Sequence, residues 1–319
     1  MRIFVDDGST NIKLAWMEEG AVKTLISPNS FKPEWSMTLL TDSSVPASAN
    51  YEIDGEKYSF DQLSPDAVRT TETRYQYSDV NVVAIHHALM QSGIEPQPVD
   101  VVVTLPLGEY LDENDQPNMA NIERKKANVK RAVAVQGRES FTVRKVSVLP
   151  ESVPAGFSVL KDLDDLDSLL IVDIGGTTLD IAHVRSKMSG FTKTHCDPKA
   201  GVSIITEAVK HALDTSVSTR TSSYFADRLI QTFLSRYLQN ADQRAQVMKV
   251  LHEREKALTH RVTDSVGRFA GFTHVMVVGG GASLVAGAVK QATGVSDDRF
   301  FVSDNPQFDL VLGMVAMKG

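Results

Sequence analysis

Two stretches of the chain carry the same hydrophobic pattern. IFVDDGSTNIKLAW (3–16) and LLIVDIGGTTLDIAHV (169–184) each run an apolar strand, an acid, a Gly/Ser/Thr turn and a second apolar strand. Laid over one another, Asp6 falls on Asp173, Gly8 on Gly175, Thr10 on Thr177 and Leu14 on Ile181. Aliphatic and β-branched residues on both flanks favour strands. The turn is longer than a two-residue hairpin loop, so hydroxyls and backbone amides gather at its tip.

The rest of the chain reads as alternating strands and helices. Ala21–Ile26 continues the first hairpin, and Ser27–Pro33 is rich in turn residues. From Met37 to Thr73 the pattern breaks into short pieces, among them YEIDGEKYSF (51–60) with Asp54-Gly55 as its hairpin turn. This stretch predicts a small insertion, about 31–75. Asn81–Gly93 spaces Val82, Ile85, Leu89 and Met90 as a helix, with Gly93 as the stop. Val99–Leu105 is a near-continuous apolar run, as expected of a parallel strand covered on both faces.

An acidic loop, LGEYLDENDQPN, precedes the basic segment NIERKKANVKR (121–131), which reads as a helix with a solvated face turned to water or to a partner. Strands are expected at Ala132–Val135 and Phe141–Leu149, then a helix over Pro150–Leu163, opened by its proline with an acid in the first turn. The Asp-rich DLDDLDS marks a boundary. After the second hairpin come strand residues at Phe191–Thr194 and helices at Val202–Leu213, Tyr224–Leu238 and Gln243–Phe269. A buried strand, a triple-glycine turn and a helix follow in HVMVVGGGASLVAGAVKQAT, then a short strand at Phe300–Val302 and a closing helix in NPQFDLVLGMVAM.

At 319 residues the chain is long enough for two ordinary cores. Its net charge of −7 argues against bulk attraction to DNA or an anionic membrane. A single cysteine, Cys196, excludes an internal disulfide, a Cys-rich zinc site and an iron–sulfur cluster. His86 and His87 are helix neighbours that do not share a face, and no metal site is expected around His183, His195 and Cys196. The N-terminus meets Asp6 and Asp7 before any signal-length apolar core, and no run approaches the roughly 20 apolar residues of a membrane span. The expectation is a cytoplasmic, acidic, two-domain protein.

The chemistry is concentrated in the turns. Successive N–H groups of a Gly-rich turn attract anions. An acid beside such a turn is reconciled with phosphate by a hydrated Mg²⁺ between them. Gly279-Gly280-Gly281 between strand and helix is a further place where amides and a helix dipole meet a phosphate or nucleoside. Neither G-x-G-x-x-G nor a P-loop is present, which disfavours a Rossmann dehydrogenase and a Walker NTPase.

The order of these segments resembles the actin/Hsp70/sugar-kinase ATPase superfamily. DDGSTNIK (6–13) matches its first phosphate motif, LPESVPAG (149–156) its first connecting motif and DIGGTTLD (173–180) its second phosphate motif. VVGGGASLV (277–285) matches the adenosine motif, and the final helix around Asp309–Met314 the second connecting motif. Within the superfamily the wording is similar to the plasmid-segregation actins of the ParM (StbA) family, as in SPNSFKPEW, QYSDVNVVAIHHAL, TLPLGEY and NIERKKAN. Thr38–Ala49 and Thr215–Arg220 resemble it least.

The resemblance implies an α/β, actin-like fold of two domains, each a ribonuclease H-like mixed sheet flanked by helices. Domain I would span 1–162, domain II 163–304, and 305–319 would return to domain I. It implies that Asp6 and Asp173 hold Mg²⁺ through water. Ser9, Thr10 and Asn11, with Gly175, Gly176, Thr177 and Thr178, would donate to phosphates, and Lys13 would place a cation beside them. Glu151 and Asp173 would be catalytic, Glu151 orienting or deprotonating the attacking water, while Gly279, Gly280, Gly281 and Ala282 would line the nucleoside. Read without the resemblance, Glu151 is an acid favouring a helix N-terminus, Lys13 a surface lysine and Asp7 a solvent-facing acid.

The expected function is an ATP-dependent, filament-forming ATPase that segregates low-copy plasmids, with ATP or GTP and Mg²⁺ as ligands. Its partners would be its own copies and a ParR-type adaptor on a centromere-like site, without direct DNA or membrane contact. The alternative is a small-molecule (sugar) kinase of the same superfamily. That enzyme would need a sugar-facing Asp base and, in many short versions, a Cys-rich zinc motif, and neither is visible. A non-hydrolysing nucleotide sensor has no use for Glu151 beside two aspartates.

Overall fold

The computed structural model describes residues 1–37, 49–217, 220–232 and 238–318. Two five-stranded sheets repeat one plan. In the first, β1 (Arg2–Asp7), β2 (Asn11–Glu18), β3 (Ala21–Pro28), β7 (Pro98–Leu105) and β9 (Thr142–Pro150) lie in the order β3-β2-β1-β7-β9. In the second, β10 (Ser168–Ile174), β11 (Leu179–Arg185), β12 (Phe191–Asp197), β13 (His274–Val278) and β14 (Phe300–Phe301) lie in the order β12-β11-β10-β13-β14. The three leading strands of each sheet are antiparallel and the last two join in parallel. A third sheet, β4-β6-β5-β8, is built from β4 (Phe31–Pro33), β5 (Asn50–Ile53), β6 (Glu56–Phe60) and β8 (Ala134–Val135). Its tight turn falls on Asp54-Gly55, both at positive φ, as a two-residue hairpin requires.

Alternation along the central strands feeds separate cores. Ile3 and Val5 pack with α1 (Asp79–Gln91) behind the first sheet, whereas Phe4 faces the space between the sheets. Leu170 and Val172 likewise face α5 (Ser203–Val217) and α7 (Ala241–Val266), while Leu169 and Ile171 join Phe4. α9 (Asp309–Lys318) contributes Leu310, Val311 and Met314 to that shared core. Its Gly313 lies so close to the Val153–Gly156 turn that a Cβ there would stand 1.8 Å from the Pro154 carbonyl oxygen.

Local chemistry sets the helix ends. The Ser78 hydroxyl accepts from Asn81 N–H at the start of α1; after the single turn α2 (Leu107–Tyr110), Asn118 caps α3 (Met119–Val129) in the same way. α6 (Ser223–Thr232) covers part of the helix expected at Tyr224–Leu238; residues 233–237 lie outside the described residues. So does Thr38–Ala49, apart from Ala49, and so do residues 218–219 of the stretch Thr215–Arg220. α8 (Ala282–Thr293) ends on Gly294 in the left-handed region, a common C-terminal stop. Among the described residues no helix is long and apolar enough to cross a membrane.

Three sequence expectations fail here. Pro150–Leu163 does not begin a helix at its proline. β9 continues to Pro150, which pairs with Leu105, and the Glu151 N–H donates to the Leu105 carbonyl at 2.8 Å. The chain turns only at Ser152 (φ 69°), into a 3-10 turn at Val153–Gly156 and one α-turn, α4 (Phe157–Leu160). The basic helix α3 is not wholly solvated either, because Lys125 is fully buried against Asp7, which is itself fully buried rather than solvent-facing. Asp7 shares the inward face of β1 with Ile3 and Val5, and Lys125 shares that of α3 with Ile122 and Val129.

Candidate functional site

The tips of the β1–β2 and β10–β11 hairpins meet between the two sheets. The Thr177 hydroxyl donates to the Ser9 hydroxyl at 2.7 Å. Gly176 permits the contact, since a Cβ there would stand 2.6 Å from Thr10 Cγ2 and 2.8 Å from Ser9 Oγ. Toward the mouth, the Ser222 hydroxyl donates to the Gln62 carbonyl at 2.6 Å, and Arg220 pairs with Asp66 at 3.2 Å.

Each tip is held from outside by its carbonyls. In the first, Asn29 Nδ2 donates to Ser9 O at 3.0 Å and to Gly8 O at 3.4 Å, and Asn29 N–H to Thr10 O at 2.9 Å. The Thr70 hydroxyl adds a second bond to Ser9 O at 2.6 Å. In the second, Gly175 O accepts from Val202 N–H at 3.0 Å and Gly176 O from Ser203 N–H at 2.8 Å, just ahead of and at the start of α5. Carbonyls committed outward leave a Gly-rich loop free to offer its amides inward, the arrangement that binds anions.

The cleft behind these tips is lined by Asp6, Gly8, Ser9, Thr10, Lys13, Glu151, Asp173, Gly175–Thr178, Gly279 and Gly280, so most of the predicted site residues stand in one place. Lys13 is not a free surface lysine: its Nζ is 2.8 Å from Asp6 Oδ2, and the pair is nearly buried. Gly279 has φ 91°, and a Cβ on it would stand 2.5 Å from Asp173 Oδ1, so only glycine brings the backbone this close. Asn11 faces the neighbouring part of the cleft, beside Thr10 and Asn29. Gly281 and Ala282 are turned away. Gly281 packs against Val202 and Ile174, and Ala282 lies in the second apolar core, so neither lines the cleft wall.

The strand register exposes an acid that motif reading left without a role. Asp6 pairs across its hairpin with Lys13, but Asp173 pairs with Asp180. Asp180 is buried, and its Oδ1 accepts from Leu107 N–H at 2.9 Å, linking the second hairpin to the first half of the chain. Thr178 and Cys196 side chains also bond to it. Burial, then Asp180 and Asp6, pushes Asp173 up to about 8. Burial is also the leading cause that lifts Glu151 well above the usual carboxylate range, with Asp180, Asp6 and Asp173 adding to it. Burial raises Asp6 as well, against the opposing pull of Lys13.

Asp173 and Glu151 thus stand among other carboxylates, while Lys13 is paired with Asp6. No group of three or more His, Cys, Asp or Glu residues among the described residues forms a metal cage. A hard divalent ion held by Asp6 and Asp173 through water, with phosphate oxygens completing its shell, suits this donor set.

Residues 1–162 match the family described as plasmid segregation protein ParM, N-terminal, and residues 163–317 match plasmid segregation protein ParM, C-terminal. Among solved structures, a non-polymerisable quadruple mutant of pCBH ParM is 17% identical, with a TM-score of 0.70 over 99% of this chain and 98% of that one. A 15-stranded ParM filament from Clostridium botulinum gives the same values. An archaeal actin homologue, Ta0583, solved as a complex with ADP, is 14% identical with a TM-score of 0.66 over all of both chains. No curated protein matches the chain. The fold is therefore actin-like: two mixed sheets of one topology, each flanked by helices.

Proposed function

Since the chain belongs to the plasmid segregation protein ParM family, we propose that it is an ATPase that assembles into filaments with ATP and so moves plasmid copies apart. One observation carries the reading. Two hairpins of the same design, each with an acid at the base of a Gly/Ser/Thr tip, face one another across a cleft that also holds Glu151. The ADP bound to Ta0583 and the filament of the Clostridium botulinum ParM support a nucleotide ligand and self-assembly here. Residues 1–162 and 163–304 would be the two lobes, with 305–319 returning to the first. The protein would work in the cytoplasm and reach DNA through a ParR-type adaptor on a centromere-like plasmid site, in keeping with its net charge of −7.

In this reading Ser9, Thr10, Thr177 and the glycines of both tips donate to the phosphates, with Asn11 beside them. Lys13 sets a cation next to charge that grows during phosphoryl transfer. Asp6 and Asp173 would hold a hydrated Mg²⁺, which would supply neutralising charge to the phosphates. Glu151, fixed at the end of β9 by its bond to Leu105, orients the attacking water and takes its proton. Gly279 and Gly280 approach the nucleoside, while Gly281 and Ala282 shape the turn from behind. Because the tips belong to different sheets, a γ-phosphate between them sets the angle between the lobes, and that angle biases assembly.

Electron micrographs of the purified chain with MgATP, with MgGTP and without nucleotide test this. Filaments are expected with nucleoside triphosphate alone. Their absence at every protein concentration would overturn the reading.

A further inference from the structure

Behind the first hairpin lies a buried polar cluster that lines no wall of the cleft except through Gln76. Lys125 enters it from α3, while its neighbours Arg124 and Lys126 remain outside. The ammonium donates to the Asp7 carboxylate, to the Gln76 carbonyl at 3.0 Å and its side-chain Oε1, and to Asn81 Oδ1 at 3.0 Å. Asp7 also accepts from Asn81 Nδ2 at 2.7 Å and from Thr104 N–H at 3.3 Å.

These contacts lead to the cleft by two routes. Asp7 stands between Asp6 and Gly8, at the root of the tip. Gln76 belongs to the 3-10 turn Thr73–Tyr77, which lines the cleft with Thr73, Tyr75 and Gln76. The Tyr75 hydroxyl accepts from the same Asn29 Nδ2 that holds the Gly8 and Ser9 carbonyls. One ammonium thus ties the base of the first tip to the turn that braces it.

A buried ion pair is a poor device for stability, since apolar residues of similar volume often serve as well. It does fix register and distance. We propose that Lys125 is a positioning residue for the first phosphate loop, setting its place relative to the second tip by clamping Asp7 and the Thr73–Tyr77 turn together. The proposal rests on the cleft being a nucleotide site. It concerns one jaw only: Ile174 occupies the place of Asp7 in the second hairpin and packs in the apolar core.

The test is binding of ATP, ADP and adenosine to the full chain, by titration calorimetry or competition. Lys125→Met is expected to weaken ATP and ADP at least tenfold and leave adenosine unchanged, because the first tip would meet phosphates alone. Asp7→Asn combined with Lys125→Met removes the uncompensated charge, so its melting temperature should recover toward that of the parent while phosphate affinity stays low. This double variant carries the test if Lys125→Met alone does not fold. Equal weakening of all three ligands, or recovery of affinity together with melting temperature, would show that the cluster only holds the fold and would overturn the proposal. A parent chain that binds none of the three would instead overturn the nucleotide reading on which it rests.

Discussion

The two hairpins at the cleft share backbone, register and tip composition, yet their charges are arranged in opposite ways. In the first, Asp6, one residue behind Asp7, faces a lysine across the ladder. In the second, Asp173 faces another aspartate, Asp180. Behind them the contrast continues: Asp7, Lys125, Asn81 and His86 put polar groups into the first core, where the second has Ile174, Leu170 and Val172. One jaw carries its own counter-ion. The other sets two buried acids against each other, and with burial this raises Asp173 to about 8 against the pull of Lys13.

The largest effect expected is at the group both jaws surround. Glu151→Ala should slow ATP turnover by about 10²–10⁴, the range for a positioned base, with filaments still forming on ATP; unchanged phosphate release would remove Glu151 from the chemistry. Ile174→Asp, which writes the first jaw's acid into the second without its lysine, should destabilise the chain by about 3–5 kcal/mol in denaturant unfolding. A mild effect there would mean that the second core tolerates charge and that the contrast is superficial.

Asp180→Asn should work the other way. Removing a like charge opposite Asp173 should raise the melting temperature of the nucleotide-free chain, by about 1 kcal/mol in stability, while weakening its use of Mg²⁺. A fall in melting temperature would show that the Leu107 contact outweighs the repulsion.

The last effect is one of pH and belongs to the polar core of the first half. His86 is buried with neither ring nitrogen partnered among the described residues, and burial lowers its pKa from 6.5 to about 4. The folded chain therefore resists a proton that the unfolded chain accepts, so stability present above pH 6.5 is lost as pH falls toward 4. His86→Leu should flatten that loss by on the order of 2 kcal/mol between pH 7 and pH 5, read from melts at each pH. His87, lowered to about 4 by the same cause, stacks on Phe60 and bonds the Tyr51 hydroxyl. Its replacement should cost packing at every pH.

Much of this was legible in the residues. The repeated hairpins, the long apolar run of β7 and the Gly turn before α8 follow from strand-forming residues and turn chemistry alone. Charge by itself is a poor sign of exposure in this chain. Asp7 follows Ile3 and Val5 at a spacing of two, and Lys125 sits between Ile122 and Val129 at spacings of three and four, so both lie on inward faces by period alone. A proline followed by an acid also describes a helix start, so the continuation of β9 to Pro150 shows only in its pairing with Leu105, while Glu151 lies in the cleft as the resemblance implies. Asp180 was countable, being as far from the tip as Lys13 is in the first hairpin. Asn29 and Thr70 carry no local signal, because their role depends on contacts 20 and 61 residues away.

If Asp173, set against Asp180 where Asp6 is paired with Lys13, takes its counter-charge from a divalent cation, nucleotide binding depends on that cation. Titration of ADP into the full chain, in Mg²⁺ and again in EDTA, tests it most directly. At least tenfold weaker binding in EDTA is predicted. Equal affinity in the two conditions would contradict the account.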